Sequence, residues 1–234
     1  MPSDQFNPTA LPRAERARMR PLSLPEQIAN RIGQDILDGA YQPGEPLREQ
    51  DLSDAYQVSR GPVREALRIL EMDGVVRILP NKGAQVTRLS AQEVADIFEI
   101  RAALIAVSIE RLCTEMPEAL IAQATVLANQ MREVADLPGS GPEFARLSHQ
   151  MSVMLMSATP NRRLSEMLLS LARQTLRYTR LGLVTADRRK RSAHLWSDLI
   201  ATMARRDGMT AAAMAQTLIL ESRDAAISAL AAEG

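Results

Sequence analysis

Arginine recurs at every fourth position in the segment Arg60-Gly61-Pro62-Val63-Arg64-Glu65-Ala66-Leu67-Arg68. On a helix this spacing lines three guanidinium groups along one face, while Val63, Ala66, Leu67 and Leu70 form an apolar stripe on another. A guanidinium fork can bond guanine O6 and N7 together or bridge phosphate oxygens, so such a face suits the reading of duplex DNA. The same spacing also suits a plainly solvated helix face. Residues 58–88 carry six basic against three acidic side chains, whereas residues 1–90 balance at twelve each, so any surplus is local.

Other chemistry-bearing types are sparse. The lone cysteine, Cys113, has no histidine near it in sequence, and the only histidines are His149 and His194. There is no nucleophile–base pair, phosphate-cradling glycine loop or paired-acid motif, which argues against an enzyme. The run Arg188-Arg189-Lys190-Arg191 reads as a solvated helix start, with a phosphate contact or a dimer rim as alternatives. Methionines at 151, 154, 156, 167, 203 and 214 read as core, or as the wall of an adaptable apolar pocket. With 28 basic and 28 acidic residues, net charge supports no general attraction to nucleic acid. One cysteine excludes an internal disulfide and suits a reducing, cytoplasmic setting. No apolar run reaches a membrane span, and the N-terminus lacks the apolar core of a signal peptide.

The surrounding elements can be placed by their punctuation. Residues 1–22, with four prolines and four arginines, read as a flexible arm, either inert or reaching phosphates or a minor groove. Ser23-Leu24-Pro25-Glu26 is a capping box that opens a helix bearing Ile28, Ile32 and Ile36. A second helix is expected over 48–56 with Leu52 and Ala55 inward. Ser59 is placed to cap the third, and Gly74 stops it. Residues 75–79 and 84–89 read as a two-stranded hairpin around Pro80-Asn81-Lys82-Gly83. From the capping box Ser90-Ala91-Gln92-Glu93 onward the pattern is helical throughout, over about 91–115, 118–136, 142–158, 161–183, 187–206 and 209–232. The chain is therefore expected to be mostly α, with a winged helix-turn-helix over 23–89 and an all-helical bundle over 90–234.

The segment from Val58 to Val76, VSRGPVREALRILEMDGVV, strongly resembles the recognition region of GntR-family winged-helix transcriptional regulators. Gly44 to Ser53 and Gly83-Ala84-Gln85-Val86 match two further segments of that family, so the resemblance runs without a gap over about 23–89. It implies DNA contacts at Arg60, Arg64 and the wing tip Asn81-Lys82. It also implies backbone-phosphate contacts at Ser59 and Gly61, and candidate contacts at Arg48 and Gln50. Gln50 stands where some members carry arginine, and Gly61 where threonine is usual.

The helical half resembles, more weakly, the FCD effector domain of the FadR-like subgroup, through Ile97 to Leu104 and Asn161-Arg162-Arg163-Leu164. Such domains usually hold a divalent metal with one aspartate and three histidines, and the metal helps bind a small carboxylate. Those ligand positions fall here on Ser148, Ser152, Trp196 and Thr217 or Leu218, so no metal and no cofactor is expected. An effector would then meet Arg101, Asn161, Ser152 and Trp196, with Asn161 also suited to capping a helix. The resemblance implies a homodimeric repressor on a palindromic operator, modulated by a small molecule such as an organic acid. The alternative is a regulator whose C-terminal domain only dimerises.

Overall fold

The computed structural model describes residues 22–79 and 83–233. Most of the expected arm, and the wing-tip candidates Asn81 and Lys82, lie outside the described residues. The element order is α1 (Leu24–Leu37), β1 (Pro46–Leu47), α2 (Glu49–Tyr56), α3 (Arg60–Met72), β2 (Val76–Leu79) and β3 (Gly83–Val86). Then follow α4 (Ala91–Glu115), α5 (Glu118–Val134), α6 (Gly141–Ser157), α7 (Arg162–Leu181), α8 (Ala186–Ala204) and α9 (Gly208–Glu233). The fold is a winged helix-turn-helix followed by a helical bundle.

Both expected capping boxes form. The Ser23 and Ser90 hydroxyls accept from the backbone N–H of Glu26 and Glu93, and each glutamate accepts in return from its serine's N–H. Orphan donors at the helix start are thereby satisfied where α1 and α4 begin. The head builds a core of its own from Ile28, Ile32 and Ile36 of α1, Leu52 of α2, Val63, Leu67 and Leu70 of α3, and Leu47, Val76 and Val86 of the sheet. Burying each such side chain contributes about 1.5–3 kcal/mol.

Two details differ from the sequence expectation. The sheet has three strands, in the order β1-β3-β2, because Pro46 and Leu47 pair with Gln85 and Ala84 across β3. Ala55 is exposed, and Ser53 is buried beside Leu52 in its place. The helix-turn-helix connection turns on Gln57, which takes a left-handed conformation (φ 54°) while Val58 N–H donates to the Ser53 carbonyl.

The bundle encloses a second, larger core that includes Phe98, Ile109, Met131, Phe144, Met151, Leu168, Leu199 and Met203. Its most extensive helix pair is α4 with α9. The basic run at the start of α8 is not uniformly solvated, which corrects the sequence reading. Arg189 is buried, and its guanidinium donates to the carbonyls of Ala135, Leu137, Leu183 and Val184 at 2.6–3.5 Å. It thereby pins together the α5–α6 and α7–α8 connections.

Helix α7 is the seat of the head. Arg173 pairs with Asp73 at 2.5 Å, Arg180 donates to the Leu37 carbonyl at 2.8 Å, and the Tyr178 hydroxyl accepts from Leu89 N–H at 2.9 Å. Gly74 turns beneath α7 at φ +70°, and a Cβ there would lie 2.7 Å from the Gln174 side chain. The positive φ favours glycine, whereas the flexible Gln174 side chain could swing aside.

Candidate nucleic-acid interface and ligand pocket

The apolar stripe of α3 faces the head core, which leaves Arg60, Gly61, Arg64, Glu65 and Arg68 exposed. Ser59 occupies the N-cap position with extended backbone, but its side chain makes no capping hydrogen bond, contrary to the expected cap. Its exposed hydroxyl and the free N–H groups of the first turn therefore form a place where a phosphate oxygen could sit. A Cβ on Gly61 would meet nothing within 4 Å, so the start of α3 is open.

The arginines are held by the start of α2. Arg64 makes a two-pronged pair with Glu49, at 2.8 Å from Nε and 2.7 Å from Nη2. The hydrogen bond from Arg64 pulls the Glu49 carboxyl below its usual range, and Glu49 in turn raises Arg64. Arg60 donates to the Gln50 amide oxygen, and Gln50 is held by its own N–H to Asp54 at 2.8 Å. Arg68 pairs with Glu65. Arg48 is exposed at the α2 N-cap. The structure thus brings Arg48, Gln50, Ser59, Arg60, Gly61 and Arg64 to the adjoining starts of α2 and α3. Glu49, overlooked in the sequence, is what orients Arg64. Its position fifteen residues upstream gave no local signal.

Inside the bundle, Arg101 of α4 is buried, with 6% of its surface exposed. Its Nη1 donates to Thr175 of α7 at 2.5 Å, and its guanidinium lies 5.2 Å from the centre of the Phe98 ring. Among the described residues no carboxylate pairs with it, and burial pulls its pKa down to about 10. Arg101 lines a cavity of about 20 Å³ together with Ser152, Trp196 and otherwise apolar side chains. That volume holds about one water molecule. Trp196 is buried and donates its indole N–H to the Ser148 hydroxyl at 3.3 Å.

Of the expected effector residues, Arg101, Ser152 and Trp196 share this cavity, whereas Asn161 does not line it. Asn161 is exposed and caps α7, its side-chain oxygen accepting from Leu164 N–H at 3.2 Å. Thr217 is exposed and bonded to the Ala213 carbonyl.

The donor set does not suit a metal. Hydroxyls that are already engaged, an indole N–H, which can only donate, and the Thr217 or Leu218 side chain stand where the resemblance would put the ligands. His149 lies in the groove between head and bundle, and His194 is exposed. No group of three or more histidine, cysteine or acidic side chains among the described residues could hold an ion. No described helix is long and apolar enough to cross a membrane.

Comparison with known proteins agrees with this architecture. Residues 24–86 match the family of bacterial regulatory proteins, gntR family, and residues 96–221 match the FCD domain. The chain is 32% identical over 145 residues to an uncharacterized HTH-type transcriptional regulator, YdhC, of Bacillus subtilis, covering 61% of this chain and 63% of that one. It is 37% identical over 98 residues to the HTH-type transcriptional repressor GlaR of Escherichia coli, covering 40% and 44%. The matches thus span under two thirds of these relatives' lengths. The solved structure of Escherichia coli McbR/YncC superimposes with a TM-score of 0.73 at 17% identity, covering 91% of this chain and 99% of that one, and so shares the fold. The chain belongs to the family of bacterial regulatory proteins, gntR family, with an FCD domain as its helical half.

Proposed function

We propose that the protein is a sequence-specific DNA-binding regulator that acts as a homodimeric repressor on a palindromic operator and responds to a small anionic molecule in its bundle. The observation that carries the DNA reading is the exposed α3 face, with Arg64 held in a two-pronged pair at the surface. The start of α3 enters the major groove, where Arg60 and Arg64 exchange Gln50 and Glu49 for base edges and Ser59 and Gly61 meet phosphate. Arg48, Gln50, Asn81 and Lys82 contact the flanking backbone. The bundles pair and set the two heads on successive half-sites.

Helix α7 supports the coupling of effector to operator. Thr175 holds Arg101 on one side of this helix, while Arg173, Tyr178 and Arg180 hold the head. A ligand that draws Arg101 from Thr175 changes the packing of α7 and shifts the population of head arrangements. Localisation in the cytoplasm accords with this role.

Selection from a random duplex library, followed by anisotropy titration, tests the reading. An enriched inverted repeat bound by two subunits is expected. Enrichment of no sequence would overturn the DNA role, and a single unrepeated half-site bound by one subunit would overturn the dimer.

A further inference from the structure

We infer that the bundle pocket takes a small monocarboxylate with a hydrocarbon body, held by Arg101 without a metal ion. This rests on the proposal that the bundle senses an anion, and it names the ligand's chemistry.

One cation lines the pocket and no acidic side chain does. A buried guanidinium with a single hydroxyl partner is costly, and one carboxylate would neutralise it through a forked pair. A second carboxylate, or a set of sugar hydroxyls, would be buried against Ile105, Ile109, Leu155, Met156, Leu168 and Leu218. Unpaired polar groups there are strongly disfavoured, because nothing replaces the hydrogen bonds they lose to water. Ser152 is the one hydroxyl on the wall, and it is already bonded to the Ser148 carbonyl at 2.9 Å. With its N–H given to Ser148, Trp196 offers the pocket carbon surface. A hydroxy acid rich in polar groups therefore meets walls with almost no hydrogen-bonding partners.

The present space of about 20 Å³ means that the wall must move. Unbranched Met156 is the side chain best able to shift, and the bond from Arg101 to Thr175 is the one a carboxylate would replace. The body must be short, because the cavity is small and its apolar lining side chains are buried.

Trp196 is the only tryptophan in the chain, so its emission reports on the pocket directly. The full-length protein is titrated with butyrate, hexanoate, citrate and inorganic phosphate, with EDTA or with added zinc, and emission and thermal shift are read together. Saturable changes with butyrate and hexanoate, unaltered by EDTA and absent with citrate or phosphate, are expected. Arg101→Met should weaken hexanoate at least tenfold, and Arg101→Lys should weaken it less, because the charge remains while the fork is lost. Citrate binding that depends on added zinc, or undiminished hexanoate binding by Arg101→Met, would overturn the inference while leaving an anion-sensing bundle intact. Silence towards every probe, with and without zinc, would overturn both and leave the bundle as a dimerisation module.

Discussion

The two halves of the chain use arginine in opposite ways. In the head, Arg60, Arg64 and Arg68 are exposed, and each leans on a polar neighbour of the same surface. Such pairs are weak and exchangeable, since exposed ion pairs contribute about 0–1 kcal/mol. They hold the side chains ready without committing them. In the bundle, Arg101 and Arg189 are buried, and neither pairs with a carboxylate among the described residues. Yet these two also differ. Arg189 meets four carbonyls and is finished as a structural pin, whereas Arg101 makes one hydrogen bond, to Thr175, beside a cavity. The number of partners a buried guanidinium has, more than its depth, sets these two arginines apart.

The sharpest way to break this distinction is to replace both buried arginines by methionine. Arg189→Met leaves carbonyls at two chain corners without their donor, and should cost at least about 1–3 kcal/mol in denaturant unfolding. Arg101→Met removes a charge that the fold hardly compensates, and stability should hold or rise by about 1–2 kcal/mol. Equal losses at the two sites would show that Arg101 is as structural as Arg189.

Next in size is the head. Arg64→Ala should weaken the selected operator by roughly 1–3 kcal/mol, from several-fold to over a hundredfold. Folding stability should hardly change, because the lost pair with Glu49 is exposed. Glu49→Gln should weaken operator binding less, since it loosens Arg64 without removing it. Unchanged operator affinity in Arg64→Ala would make the α3 face a solvated surface.

A gentler effect is expected where the two regions meet. Burial, with Arg180, Arg101 and Arg173 nearby, lowers the His149 pKa below its usual 6.5. Between that lowered value and 6.5 the unfolded chain binds the proton more readily, so stability falls as pH drops through this window. The slope should flatten in His149→Gln when unfolding is followed by denaturant titration between pH 5 and pH 7.

Legibility in the sequence follows the same divide. The head's helices, both capping boxes and the arginine face could be read because their signals are local: a spacing of three or four residues, or a serine before a glutamate. Strand β1 carries no pattern of its own, because two residues show no alternation and its pairing is supplied by β3, nearly forty residues on. The run at 188–191 misled for a related reason. What buries Arg189 is a set of carbonyls from chain corners, which no side-chain pattern announces. Asn161 offered two roles, cap and pocket wall, and the structure places it as the cap. Arg101 was singled out by resemblance, but its lack of a carboxylate partner is a property of packing that no count of residues contains.

The smallest expected effect is at Gly61, where the head departs from its family. The position is helical, its φ is ordinary and the space around it is open, so glycine is not required there. Gly61→Ala should therefore raise stability by about 0.5–1 kcal/mol, through a less mobile unfolded chain and a firmer α3 start. Gly61→Thr adds a hydroxyl beside the free N–H groups of the first turn, within reach of a phosphate. A phosphate contact carries no sequence information, so Gly61→Thr should tighten operator and random duplex by the same small factor. Tightening of the operator alone would place residue 61 against a base, and the exposed face of α3 would then extend its reading to a position that this chain leaves without a side chain.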